Sequence, residues 1–107
     1  MIVKYRIKKH SEFQKVIGEG EVSHAKSFTF YVLDNSLGYT RIGISVPKKS
    51  GTAVVRNKIK RQIRAIFSSI NDYSKSMDLV MIIRKGYDVS NFVQTKNEIQ
   101  EFISKAR

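Results

Sequence analysis

The sequence predicts an α+β protein, built as a two-layer sandwich of one central sheet with packed helices. Three observations favour this class. Two segments in the first half alternate apolar and polar residues, residues 53–70 carry an apolar stripe with helical spacing, and residues 79–83 are continuously apolar. The chain has 107 residues with no internal repeat or linker, so we expect a single domain over residues 1–107.

The first predicted element is a short amphipathic helix. The run Ser11–Gln14 resembles a capping box with Ser11 as the N-cap, and Gly18 and Gly20 are expected to end the helix. A short extended piece at residues 21–24 is compatible with an edge strand.

Residues 27–33 and 41–46 are predicted to form an antiparallel hairpin with one buried face. The turn between them lies at residues 35–38, where Asn, Ser and Gly cluster. The apolar residues that alternation places on the buried face are Phe28, Phe30, Val32, Ile42, Ile44 and Val46.

The second half is predicted to contain a long helix, a buried strand and a last helix. The break at residues 47–51 allows Thr52 to cap the long helix, which continues to about residue 70. Residues 79–83 suit a strand that is buried on both faces and parallel to a neighbour. The last helix spans residues 90–105, with Phe92, Ile99, Phe102 and Ile103 facing inward.

Positive charge is concentrated in one part of the chain. The protein carries 20 Lys and Arg against 9 Asp and Glu, a net charge of +11. Residues 41–70 contain eight basic and no acidic residues, a net +8. Because like charges at close range repel, such a patch is typical of a surface that binds a polyanion. A solvated face that only favours solubility is the competing interpretation.

The long helix has two faces on a helical wheel. Its apolar arc consists of Val55, Ile59, Ile63, Ile66, Phe67 and Ile70, and its polar arc of Arg56, Asn57, Lys60, Arg61 and Arg64. Arg binds phosphate through paired hydrogen bonds and Lys as a point charge, so the polar arc suits a nucleic-acid backbone. A membrane-surface helix is an alternative, but it would need a free apolar face, which the predicted strands cover.

A second surface combines an aromatic ring with small residues. Tyr31 is predicted to point away from the main core, on the same side as Gly43 and Ser45. Phe13, with Lys15 near it in sequence, could form the opposite wall of a groove for single-stranded nucleic acid. Phe13 is equally compatible with a place in the core.

Several classes of function are excluded by what the sequence lacks. There is no Cys, the two His have no metal-ligand spacing, and no glycine-rich phosphate loop occurs. No apolar run is long enough to span a membrane, and no secretory segment is visible. We therefore predict no catalytic side chain, no metal ligand on the protein and no membrane partner, and we expect a cytoplasmic chain that is monomeric on its own.

The run Lys48–Arg64 resembles the protein subunit of bacterial ribonuclease P. The family signature Gly-x-Ala-Val-x-Arg-Asn-x-x-Lys-Arg-x-x-Arg is present from Gly51 to Arg64, and the similarity extends over residues 4–105. Further matches lie at Phe13–Val16, Phe28–Leu33, Gly43–Val46 and Asp78–Lys85. Ile17 stands where the family often has Phe, and Thr52 where Asn is common.

The resemblance implies an αβββαβα sandwich similar to the second domain of ribosomal protein S5, with a left-handed βαβ crossover. General connection rules alone would favour a right-handed one. It also implies a ribonucleoprotein endonuclease that removes the 5′ leader of precursor tRNA, in which the RNA subunit performs the hydrolysis with Mg²⁺ bound mainly by RNA. The protein would bind the catalytic RNA and the leader, broaden substrate use and strengthen Mg²⁺ binding.

The resemblance further assigns residues to two surfaces. The surface for the catalytic RNA and metal region would comprise Lys48, Lys49, Arg56, Asn57, Lys60, Arg61 and Arg64. The cleft for the precursor tRNA leader would comprise Phe13, Lys15, Ile17 and Tyr31. A general RNA-binding module, such as a ribosome-associated protein, remains the alternative that charge alone supports.

Overall fold

A computed structural model describes residues 5–69 and 73–105. These residues contain a four-stranded sheet and three α-helices, the predicted α+β class. In chain order the elements are α1 (His10–Glu19), β1 (Glu21–His24), β2 (Phe28–Asp34), β3 (Arg41–Ser45), a 3-10 turn (Lys48–Ser50), α2 (Ala53–Ser69), β4 (Met77–Ile83) and α3 (Phe92–Lys105).

The sheet has the strand order β1-β2-β4-β3. Strand β4 is antiparallel to β2 and parallel to β3, so the predicted hairpin of residues 27–33 with 41–46 is wrong. The reason is that β4 is the most apolar strand and is buried on both faces, which favours a central position between the other two. The prediction of a doubly buried strand with a parallel neighbour is confirmed. The connection from β3 through α2 to β4 is a crossover, and its left-handedness stays a prediction.

Helices α2 and α3 pack on one face of the sheet and build the main core. The ring of Phe102 stacks on that of Phe30, with centroids 3.9 Å apart. Helix α2 contributes its apolar stripe, of which Ile59, Ile63, Ile66 and Phe67 are buried. Ile70 lies outside the described residues. Val55 and Phe92 remain 40% and 38% exposed, against the prediction, because each lies in the first turn of its helix and the sheet covers only later turns.

Of the three helix ends predicted from a capping or terminating residue, two are confirmed. Helix α1 begins at His10 without a side-chain cap, so the capping box predicted for Ser11 is wrong. It ends before Gly20, as predicted. Thr52 caps α2, since its hydroxyl accepts a hydrogen bond from the Val55 N–H at 3.4 Å. No helix in the described part of the chain is long and apolar enough to cross a membrane.

Candidate nucleic-acid interface

The polar arc of α2 lies on the side of the helix that faces away from the sheet. Arg56, Lys60 and Arg64 are half-buried along its margin, while Asn57 and Arg61 are exposed. The buried apolar stripe fixes the rotation of the helix, so these side chains are presented on a rigid element. The predicted basic surface of α2 therefore exists as one continuous helix side.

The turn before α2 adds two more cations. Lys48 and Lys49 are exposed and directly precede the helix. Gly51 allows the chain to enter α2 with a φ of 145°, a conformation that other residues rarely adopt, and a Cβ there would lie 3.0 Å from Val55 Cγ1. The glycine of the signature thus sets the approach of the two lysines to the start of the helix.

The cations of α2 have no acidic partner among residues 5–69 and 73–105. The ion pairs found there join Arg41 to Glu12 and Asp78, and Lys105 to Glu101. In α2 itself no residue is acidic. The positive charge of this helix is consequently not neutralised within the described structure, which favours binding of an external anion.

Arg64 shows this lack of compensation most directly. Its Nε is buried and has no hydrogen-bond partner in the described part of the protein. Burial lowers the pKa of Arg64, and the nearby positive charge of Arg6 lowers it further. An anion bound beside this guanidinium would reduce the repulsion between the two arginines.

The opposite face of the sheet carries an apolar cluster that contains Phe13, Ile17 and Tyr31. These side chains pack around the buried residues Ile7, Val16 and Val80, next to Leu33 and Ile82. The members of this cluster outside its buried centre are half-buried and keep an exposed edge, namely Phe13, Ile17, Tyr31, Leu33 and Ile82. We call Phe13, Ile17 and Tyr31 the aromatic cluster.

Strand register explains how the aromatic cluster forms. Tyr31, Val80 and Gly43 lie side by side on β2, β4 and β3. The ring of Phe13 lies directly on the third of these, since its Cζ is 2.5 Å from where a Cβ on Gly43 would be. Any larger residue at position 43 would displace the ring. Phe13 is therefore both part of the packing under α1 and a wall of the exposed surface.

The protein-family comparison gives one match over the whole chain, to the ribonuclease P model at residues 1–107. The chain belongs to the ribonuclease P protein family. The ribonuclease P protein component of Clostridium kluyveri is 40% identical over 105 residues, covering 95% of this chain and 94% of that one. The component from Streptococcus pyogenes serotype M5 is 34% identical over 103 residues, covering 96% and 87%.

Solved structures agree with this family. The ribonuclease P protein of Staphylococcus aureus aligns with a TM-score of 0.83 at 36% identity, over 94% of this chain and 95% of that one. The protein from Thermotoga maritima aligns with a TM-score of 0.79 at 27% identity, over 95% and 97%. The resemblance that the run Gly51–Arg64 indicated is thereby confirmed, as is the mixed α+β fold.

Lys15, the remaining residue predicted for the leader cleft, lies in a groove next to the aromatic cluster. It is exposed and lines an open groove of about 460 Å³ together with Glu12, Leu33 and Asp34. Because Leu33 also packs beside the aromatic cluster, the groove and the cluster are neighbours. Carboxylates of this groove reduce the attraction that Lys15 offers to a phosphate.

Two arginines on this side of the sheet were assigned to no surface in the sequence analysis. Arg84 donates from Nε to Thr29 Oγ1 at 3.0 Å and so covers a threonine that is only 1% exposed. The alternation of residues 27–33 places Thr29 on the face opposite Phe28 and Phe30, which was predicted to be open. The signal for Arg84 was available, because the alternation of β4 continues from Val80 and Ile82 to residue 84. Arg41, the second one, pairs with carboxylates distant in sequence, which no local pattern reveals.

Proposed function

We propose that the chain is the protein subunit of the ribonuclease P holoenzyme, which cuts precursor tRNA endonucleolytically and removes its 5′ leader. The uncompensated basic side of α2, on a member of the ribonuclease P protein family, is the observation that carries this proposal. In the complex, α2 binds the catalytic RNA and the aromatic cluster binds the single-stranded leader.

The basic surface is suited to a folded RNA backbone. Arg56, Lys60 and Arg64 project from one side of α2 at intervals of one helical turn, about 6 Å. Such spacing is close to that of neighbouring phosphates, and each contact releases condensed counterions from the RNA. Exposed Asn57, between the cations, can donate to or accept from a sugar hydroxyl or base edge. Lys48 and Lys49 extend the same surface.

The aromatic cluster is suited to a single strand. Bases stack on exposed aromatic edges with little sequence preference, as a leader of variable sequence requires. Ile17 replaces one aromatic surface by an aliphatic one, so Phe13 and Tyr31 carry the stacking in this chain. Affinity gained from the leader is independent of the tRNA body, so precursors whose tRNA body binds weakly also gain affinity, which broadens substrate use.

The chemistry is assigned to the RNA subunit. Among the described residues, no group of three or more His, Asp or Glu is arranged to hold a metal ion. The side chains of the proposed surfaces are cationic, amide or apolar, and they do not fit Mg²⁺, which prefers carboxylate and phosphate oxygens. Mg²⁺ would be held mainly by RNA phosphates, and the protein would favour its binding by stabilising the folded RNA around it.

Reconstitution tests the proposal. Cleavage of precursor tRNA by the cognate RNA at low Mg²⁺ is expected to accelerate when the protein is added, and an unchanged rate would contradict the proposal. Tyr31→Ala is expected to weaken binding of precursor tRNA to the holoenzyme by about tenfold while sparing mature tRNA. Tyr31→Phe, which keeps the ring, serves as the control. A general RNA-binding module would instead show no preference for precursor over mature tRNA.

A further inference from the structure

Helix α1 is tied to the sheet by a network of charged hydrogen bonds beside the aromatic cluster. The guanidinium of Arg41 donates from Nε to Asp78 Oδ1 at 2.9 Å and from Nη2 to Asp78 Oδ2 at 2.7 Å. Its Nη1 donates to Glu12 Oε2 at 2.9 Å. One arginine on β3 thus joins a carboxylate of β4 to a carboxylate of α1.

The sheet side of this network is rigidly held. Arg41 and Asp78 are register partners on β3 and β4, and Asp78 is only 6% exposed. Asn35 Nδ2 donates to Asp78 Oδ1 at 2.8 Å, while Asn35 Oδ1 accepts from Ser76 Oγ at 2.7 Å. Because these partners leave the guanidinium one geometry, its Nη1 edge defines where the carboxylate of Glu12 must lie.

The position of Glu12 in α1 gives this bond a consequence for the aromatic cluster. Glu12 precedes Phe13 directly, and Ile17 follows Phe13 by one helical turn. Apolar packing turns the apolar side of α1, with buried Val16, toward the sheet, but it is non-directional and fixes the rotation about the helix axis less narrowly than a directional contact does. A charge-assisted hydrogen bond is directional, and fixing Glu12 therefore fixes where Phe13 and Ile17 point.

We propose that Glu12, through Arg41 and Asp78, is a positioning residue for leader binding. It sets the rotation of α1 that seats Phe13 on Gly43 and aligns Ile17 with Tyr31. This inference rests on the proposed function, in which the aromatic cluster binds the 5′ leader. Glu12 itself makes no contact with the leader in this scheme.

The proposal can be distinguished from simple electrostatics because the two predict opposite changes in the affinity for precursor tRNA when Glu12 is removed. Removing a carboxylate makes the protein more positive, and charge alone then predicts tighter binding of every RNA. Positioning predicts weaker binding of precursor tRNA, with mature tRNA unaffected. Glu19, an exposed acid on the same helix, offers a charge-matched control outside the network.

The experiment compares four variants in the holoenzyme: Glu12→Ala, Glu12→Gln, Glu19→Ala and Tyr31→Ala. The measured quantity is the ratio of dissociation constants for mature and precursor tRNA. Glu12→Ala is expected to lower this ratio by about threefold to tenfold, because the Glu12 side chain is 35% exposed and solvent weakens its bond to Arg41. Glu12→Gln has the same net charge as Glu12→Ala but keeps an oxygen that can accept from Arg41. It is expected to retain most of the ratio. Glu19→Ala is expected to leave it unchanged.

Each outcome decides between the two proposals. If Tyr31→Ala lowers the ratio while Glu12→Ala behaves as Glu19→Ala does, the positioning role is wrong and leader binding stands. If Tyr31→Ala also leaves the ratio unchanged, leader binding by the aromatic cluster fails, and the positioning role fails with it. Equal losses for Glu12→Ala and Glu12→Gln would also overturn the positioning role. Thermal unfolding of each protein checks that the variants are folded at the assay temperature.

Discussion

Arg41 and Arg64 are both partly buried arginines from the same basic stretch, yet they lie in opposite electrostatic surroundings. Hydrogen bonds to Asp78 and then to Glu12 raise the pKa of Arg41, outweighing the opposing effect of burial. Arg64 has a buried Nε without a partner among the described residues, and burial together with Arg6 lowers its pKa.

The difference shows that positive charge in residues 41–70 serves two purposes. Arg41 is neutralised inside the protein and holds two strands and α1 together, so its charge is not offered to RNA. Burial of the Arg64 Nε lowers the stability of the isolated protein, since a buried donor without an acceptor is unfavourable. An anion bound beside the guanidinium would offset the repulsion between Arg64 and Arg6. Net charge of a segment therefore overstates its capacity to bind nucleic acid.

The largest expected effect follows from removing the compensated arginine. Arg41→Met leaves Asp78 buried with its principal counter-charge gone, and we expect the free energy of unfolding to fall by about 3 kcal/mol. Arg41→Lys is expected to recover little, because one ammonium cannot replace the paired bonds to Asp78 and the bond to Glu12. Urea denaturation measures both. A loss below about 1 kcal/mol in Arg41→Met would mean that the network contributes as weakly as a surface ion pair.

Arg64, which has no acidic partner among the described residues, is expected to contribute to RNA binding and not to stability. Arg64→Met retains the aliphatic packing and removes the unpaired donor, so we expect unchanged or slightly higher stability by urea denaturation. Affinity for the catalytic RNA should fall by about tenfold, the loss typical of one charged hydrogen bond. Destabilisation of Arg64→Met comparable to that of Arg41→Met would remove the distinction between the two residues.

The sequence predicted what depends on local pattern. The burial of Ile59 and Ile63, the cap at Thr52 and the two-sided burial of β4 all follow from spacing along one element. The pairing of β4 between β2 and β3 did not, because alternation shows which face of a strand is buried but not which strand lies beside it.

In the candidate site, too, features that depend on one local segment could be predicted, and contacts between distant segments could not. The basic arc of α2 was visible as helical spacing. Strand alternation placed Tyr31 away from the main core, and the family resemblance placed Phe13 with it in the leader cleft. The seat of Phe13 on Gly43 and the role of Arg41 depend on contacts between distant segments. Arg41 was counted among the eight basic residues of 41–70, because its partners Glu12 and Asp78 lie far away in sequence. Only the folded arrangement separates it from Arg64.

A finer comparison can be made within α2 by varying salt. Arg61→Ala is expected to weaken binding to the catalytic RNA and to reduce the slope of log affinity against log salt by about one. Lys58, exposed but beyond the basic arc on the helical wheel, is the matched control, and Lys58→Ala should leave the slope nearly unchanged. Filter binding or fluorescence anisotropy over a salt series measures both slopes. Equal changes would indicate diffuse attraction by net charge in place of defined phosphate contacts.

The smallest effect concerns the protein without RNA. Because the cations of α2 repel one another, Lys60→Gln should raise the free energy of unfolding by about 0.3 kcal/mol at low ionic strength. The gain should vanish near about 1 M salt, where charges beyond about 3 Å are screened. Lys105→Gln is the paired counterpart, since Lys105 Nζ lies 2.8 Å from Glu101 Oε1, and it should not stabilise the protein at any salt concentration. Stabilisation by both substitutions would show that overall charge, and not the absence of partners along α2, sets the repulsion.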